Sequence, residues 1–304
     1  MFVGHALLAF ALAVRGSRRF SVPRERALRY GVVAALFAAI PDIDVVYAPV
    51  GLLFRSVETV SPDVFWETAN VIHRGPTHSL VVAAILAVAV ALWSTDSPVA
   101  RTLSVALGAL LVAVSGAESG VVGGVVVALF VVAGFVVSTL ATRRGVATRP
   151  LLTLAAIGLL THPFGDLFTG SPPPLLYPFD VVLVAERVLL HPDPTVHLLA
   201  AFAIELGTVW LAVWTYANVS GLSLGELVNP RATLGVGYAG AVLLLPAPTL
   251  ENAEPFVFSV LAIGVVGAPT QPFSAGVDWR EVVVTGLSAV TVAAFTYALV
   301  YALL

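Results

Sequence analysis

The heptapeptide His73-Arg74-Gly75-Pro76-Thr77-His78-Ser79 sets two imidazoles, a guanidinium and two hydroxyls directly before the apolar stretch Leu80 to Trp93. Imidazole binds borderline divalent metals and moves protons near neutral pH, and a guanidinium fork matches carboxylate or phosphoryl oxygens. Two other clusters could serve the same chemistry. Pro41-Asp42-Ile43-Asp44 places two carboxylates where an apolar run is interrupted, and Thr161-His162-Pro163-Phe164-Gly165-Asp166 places an imidazole four residues before a carboxylate, a spacing that shares one helix face. His5 stands alone in the first apolar run. Each feature has a plainer reading: Thr77 or Ser79 as a helix cap, Arg74 against lipid phosphates, Asp42 as a cap, His162 hydrogen-bonded to Asp166, and His5 as hydrogen-bonded core.

The elements that must position these residues are membrane helices. Apolar residues make up 59% of the chain and charged residues 11%, against about 45–50% and about 25% in soluble domains. The fold expected is an all-α, polytopic integral membrane bundle of about ten transmembrane segments, over 2–14, 28–47, 78–94, 99–115, 121–141, 150–168, 197–217, 231–250, 255–269 and 282–303. Pro41 and Pro163 predict a kink or break at Ile40 and His162. Broken backbone at membrane depth needs protein or water around it, so a polar cavity is expected there. The first 14 residues lack the basic start of a secretory signal and read as a retained helix. With no cysteine in the chain, thiolate metal sites and cysteine nucleophiles are excluded. A net charge of −3 offers no basic face for nucleic acid.

The 15 basic residues are all arginines, and cytoplasmic loops carry the excess of positive charge. Arg15, Arg18, Arg19, Arg24, Arg26 and Arg29 fall between the first two spans, and Arg143, Arg144 and Arg149 between the fifth and sixth. Ten spans with the N-terminus outside then place every arginine on the cytoplasmic side except Arg55, Arg74 and Arg187. The same alternation brings His5, Asp42, Asp44, His73, His78, His162, Asp166, His191 and His197 to the extracytoplasmic face. It requires neighbouring runs between 78 and 168 to be separate helices. The proline-rich loop 169–196 is expected to be stiff and to lie over the outer mouth. Residues 1–190 read as the membrane-embedded core that carries the site, and 191–304 as accessory transmembrane helices.

Electrostatics narrows the chemistry. If Asp42, Asp44 and Asp166 converge to about 6 Å, each pair repels by roughly 2.8 kcal/mol at an effective dielectric near 20, or about 8 kcal/mol for three pairs. Such a cluster needs protons or cations. Four histidines beside the acids favour one or two divalent metals, zinc first and manganese or iron after it, over calcium.

The early His5, the Pro41-Asp42-Ile43-Asp44 turn, the His73 to Ser79 block and the His162/Asp166 pair, in that order, resemble the YdjM-like (LexA-binding, inner membrane-associated) family of membrane-bound metal-dependent hydrolases. The resemblance covers about residues 1 to 185. It implies a multinuclear site in which His5, Asp42, Asp44, His73, His78, His162 and Asp166 are ligands or support ligands. A LexA partner is not carried over to this chain. In this reading a metal lowers the pKa of a bound water toward 7, Arg74 takes a phosphoryl oxygen, Asp44 or Asp166 serves as general base, and the substrate is a small-molecule or lipid-related phosphate or other ester at the extracytoplasmic face. Two rivals stand beside it. One is a transporter or metal- or proton-permeation protein that extends the His/Asp cluster through Glu205 in the seventh span. The other is a scaffold with a structural metal. A pathway would spread polar groups through the membrane depth, whereas these gather at one end.

Overall fold

The computed structural model describes residues 3–46, 73–268 and 277–304; Arg55 lies outside the described residues. All regular structure among them is helical. The chain divides into two compact units, Met1–Arg187 and Val188–Leu304. Among the described residues, three helices are long and apolar enough to cross a membrane, Pro98–Arg143, Pro194–Ser220 and Trp279–Leu303, with shorter apolar helices at Leu80–Trp93 and Glu254–Gly267.

The first unit begins with a hairpin of α1 (Gly4–Arg19) and α2 (Arg24–Ala39). The arginines expected in a loop between the first two spans instead form the last turns of α1 and the first turns of α2. Helix α2 stops where Pro41 demands it. Proline has no N–H for the Phe37 carbonyl, which accepts from the Ile40 N–H instead, and a 3-10 turn, Pro41–Val46, takes over. A second 3-10 turn, Pro76–His78, leads into α3 (Leu80–Trp93). Then come α4 (Pro98–Arg143) and α5 (Thr148–Asp166).

Helix α4 is not a single rod. Gly120 adopts φ 71° and ψ −175°, a backbone that residues with a Cβ rarely adopt. The arms on either side fold together, so that Gly108 lies against Val131 and Phe135, and Gly116 against Gly124. In a straight helix residues 108 and 131 would be about 35 Å apart. Both arms grip α3: the Ser104 hydroxyl donates to the Ala89 carbonyl at 2.7 Å and the Ser138 hydroxyl to the Val90 carbonyl at 2.8 Å. The runs 99–115 and 121–141 are therefore separate helices.

The break expected at His162 does not occur, because α5 runs through Pro163 to Asp166. The missing N–H costs only the hydrogen bond to residue 159, in the final turn. His162 and Asp166 thus stay one turn apart on one face.

With α4 folded in two, the described residues of the first unit form six rods that run alternately up and down around Phe37, Leu86, Phe130, Leu151 and Leu159. The start of α1, the end of α2, the start of α3, Gly120 and the end of α5 lie at one end. At the opposite end the Arg29 guanidinium donates to the Arg144 carbonyl at 2.5 Å, and the Ser94 and Thr148 hydroxyls meet at 2.9 Å.

The second unit comprises α6 (Pro194–Ser220), 3-10 segments at Leu224–Leu227 and Pro230–Gly240, α7 (Ala241–Leu244), α8 (Glu254–Ala262) continued as 3-10 helix over Ile263–Gly267, and α9 (Trp279–Leu303). Its core centres on Tyr238, Phe256 and Tyr297. The membrane helix expected over 231–250 is 3-10 helix only over 231–240, α-helix only over Ala241–Leu244, and not helical over 245–250. Gly235, Gly237 and Gly240 fall within that segment, and each lowers α-helix propensity by about 1 kcal/mol relative to alanine.

Candidate metal centre

Four helix ends meet at one end of the first unit, and each contributes side chains chosen by a local break. His5 is in the first turn of α1. The Pro41 break swings Asp42 and Asp44 into a 3-10 turn instead of along a helix face. The His73 to Ser79 block ends on Ser79, whose hydroxyl oxygen accepts the Val81 and Val82 amides and so caps α3. His162 and Asp166 close α5. Its approach to α2 is set by Gly158, where a Cβ would stand 2.5 Å from the Ala34 carbonyl oxygen and 2.7 Å from the Ala38 amide nitrogen.

That close approach lets His162 Nδ1 donate to the Ala38 carbonyl at 2.7 Å. A carbonyl oxygen only accepts, so the ring proton sits on Nδ1 and Nε2 presents its lone pair. His78 is oriented in the same sense. The Thr77 hydroxyl donates to Asp44 Oδ2 at 3.1 Å and accepts from His78 Nδ1 at 3.0 Å. The two Nε2 atoms then face one another at 3.0 Å, with both rings fully buried. Two facing lone pairs at that separation require a proton or a cation between them.

Carboxylates complete the set. Asp42 Oδ1 lies 3.6 Å from His78 Nε2 and 3.3 Å from His162 Nε2. Asp166 Oδ2 lies 3.3 Å and 3.7 Å from the same two atoms. Ligands held tetrahedrally at about 2.05 Å from zinc are separated by about 3.3 Å. The residues present thus fit a divalent metal. Two groupings of three could each hold an ion: His5 with His162 and Asp166, and Asp42 with His73 and His78. The His5 ring lies 4.0 Å from that of His162, with Nε2 at 3.5 Å from Asp166 Oδ1.

Asp44 is fully buried and organises its neighbours. Its Oδ1 is 2.9 Å from His73 Nδ1, while Oδ2 accepts from the Arg74 amide and the Thr77 hydroxyl, each at 3.1 Å. Arg74 adopts a left-handed φ of 67° and turns its guanidinium onto Asp166 Oδ1, at 3.2 Å.

All seven residues predicted as ligands or supports, His5, Asp42, Asp44, His73, His78, His162 and Asp166, together with Arg74, meet at this end. Sequence reasoning missed the finer parts of the 169–177 segment. Thr169 and Ser171 accept from the Arg74 side chain. Leu175 accepts the Leu80 amide at 2.9 Å, and the Tyr177 carbonyl accepts the Ser79 hydroxyl at 2.8 Å. The hydroxyl of Thr169, one turn beyond Asp166, was the one signal available for them. Glu205, His191 and His197 belong to the second unit.

A family model described as "YdjM inner membrane protein" matches residues 1–238, well past the stretch of about 185 residues on which the motifs lie. No curated protein and no solved structure matches the chain.

Proposed function

We propose, from the premise that the chain belongs to the YdjM inner membrane protein family, that it is an integral membrane metal-dependent hydrolase acting on a phosphate or lipid-related ester. What carries this reading is the pair of buried imidazoles presenting Nε2 to each other at 3.0 Å, with Asp42 and Asp166 at tetrahedral spacing. A divalent metal bound there, zinc first and manganese or iron after it, supplies an ionised water near neutral pH and a Lewis acid for the ester oxygen.

The chain's own residues supply the rest. His78, His162, Asp42 and Asp166 are the holding set, with His5 and His73 able to extend it to a second ion. The Ala38 carbonyl, Thr77 and Asp44 fix which ring nitrogens face inward. The Asp42 side chain is 32% exposed whereas that of Asp166 is 3% exposed. Among the described residues, then, substrate and solvent meet the centre on the Asp42 side, where a carboxylate can pass protons to water. The arginine-rich end faces the cytoplasm in this reading, and the centre opens outward.

The deciding experiment counts metals in the purified chain and screens phosphomonoester, phosphodiester and phospholipid substrates. Metal-dependent turnover lost in Asp42→Ala and His78→Ala is the expected result; a metal-free wild type overturns it. Metal without turnover in any class transfers support to a structural staple, or to ion permeation if the metal crosses the bilayer of a reconstituted liposome. Sidedness has its own test, since the chain has no cysteine: single cysteines beside Arg19 and Pro173 should label from opposite sides.

A further inference from the structure

Arg74 was expected to offer its fork to a phosphoryl oxygen, but the fork is filled by protein. Nη1 donates to the Asp166 carbonyl at 3.3 Å and to the Ser171 carbonyl at 3.4 Å. Nη2 donates to the Thr169 hydroxyl at 3.0 Å and lies 3.2 Å from Asp166 Oδ1. Nε is buried without a hydrogen bond. Neither edge of the guanidinium therefore has two donors left for a bidentate ligand. Meanwhile the Arg74 amide donates to Asp44 Oδ2 at 3.1 Å. One residue thus ties together two acids that are far apart in sequence.

The space for this arrangement is made by Gly170. A Cβ there would stand 1.8 Å from Arg74 Nη1 and 2.6 Å from Cζ. The guanidinium is the movable partner in that clash, so a methyl group at 170 displaces Arg74 and leaves the backbone in place.

We infer that Arg74 is a positioning residue that locks the Asp166 carboxylate and the covering segment Thr169–Ser171 onto the metal centre, and that Gly170 is the keyhole that admits it. This rests on the metal-hydrolase reading of the same centre. It assigns Gly170, which carries no functional group, a specific effect on metal affinity.

The test is zinc binding, measured by chelator competition on the detergent-purified full chain, for wild type, Arg74→Ala, Arg74→Lys and Gly170→Ala. Loss of a group that orients a ligand typically lowers metal affinity about 10–100-fold. Arg74→Ala and Gly170→Ala should both fall in that range, with Arg74→Lys between them and wild type because it keeps the charge but not the planar fork. Zinc affinity unchanged in Gly170→Ala would overturn the proposal, as would an Arg74→Lys variant that binds zinc normally but raises KM for a phosphoester. Hydrogen exchange over residues 167–178 supplies a readout independent of metal: both alanine variants should exchange faster there, and unchanged exchange refutes the lock. If wild type binds no zinc while exchange still rises in both variants, the metal reading has failed and the lock stands. If Arg74→Ala does not fold, Gly170→Ala and Arg74→Lys carry the same comparison.

Discussion

Histidines occur in both units, and the two sets are wired in opposite senses. In the first unit, His162 Nδ1 donates to the Ala38 carbonyl and His78 Nδ1 to Thr77, so each ring, when neutral, turns an Nε2 lone pair toward its neighbours. In the second unit, His197 Nδ1 accepts the Leu190 amide and His191 Nδ1 accepts the Asp193 amide, both at 3.0 Å. Those bonds place the proton of a neutral ring on Nε2, which cannot then bind a metal. The same residue type is placed to serve as a ligand in one unit and is a loop fastener in the other, and the partner of Nδ1 decides which.

The sharpest break of this contrast is to remove a ring from each set. His162→Ala or His78→Ala should abolish zinc binding and lower any metal-dependent turnover by at least about a thousandfold. His197→Ala should leave metal content unchanged and cost about 1 kcal/mol of stability, from the unpaired Leu190 amide. Metal analysis and thermal melting of the same preparations read both effects. The next largest effect is on orientation: Asp44→Asn keeps His78, His162, Asp42 and Asp166, yet should weaken zinc about 10–100-fold by loosening His73 and Thr77.

Lowering the pH sharpens the comparison from another side. Ligands must be deprotonated to bind, so zinc affinity in the first unit should fall as the pH drops through the histidine range. Zinc at 100 times its Kd adds about 2.7 kcal/mol of stability, and this increment should vanish in acid or with a chelator. Melting of His78→Ala should be insensitive to zinc and to a chelator, and a metal-induced shift in that variant would refute the assignment. The smallest effect is expected from Ser138→Ala, which loses the hydrogen bond to Val90. Such bonds between membrane helices average about 0.6 kcal/mol, and metal content should not change.

Much of this centre was legible because imidazoles and carboxylates are conspicuous in an apolar chain, and because helices starting or ending at His5, Asp42, His78 and Asp166 bring them to one end once α4 is folded at Gly120. Pro41 announced its break correctly. Pro163 did not make one, because a proline in the last turn of α5 forfeits too little to end the helix. The 231–250 run was misjudged because hydropathy measures apolar content and is blind to whether the backbone is α or 3-10. Gly170 was invisible for a different reason: its role is an absent Cβ beside the Arg74 side chain, far away in sequence, and no local pattern records that. Which ring nitrogen faces inward was equally hidden, since the Ala38 carbonyl meets His162 only after α2 and α5 have packed.

The holding residues run from His5 to Asp166, so just over half of the chain must be made before the centre can close. At about 5–20 residues per second, roughly 8 to 30 s separate the synthesis of the first and last of them. During that interval Asp42 and Asp44 have already been made, while the imidazole of His162 and the lock on Asp166 do not yet exist. In the proposed metal reading, cation capture is a maturation step that follows insertion, and a nascent chain stalled before α5 emerges should enter the membrane without high-affinity zinc binding.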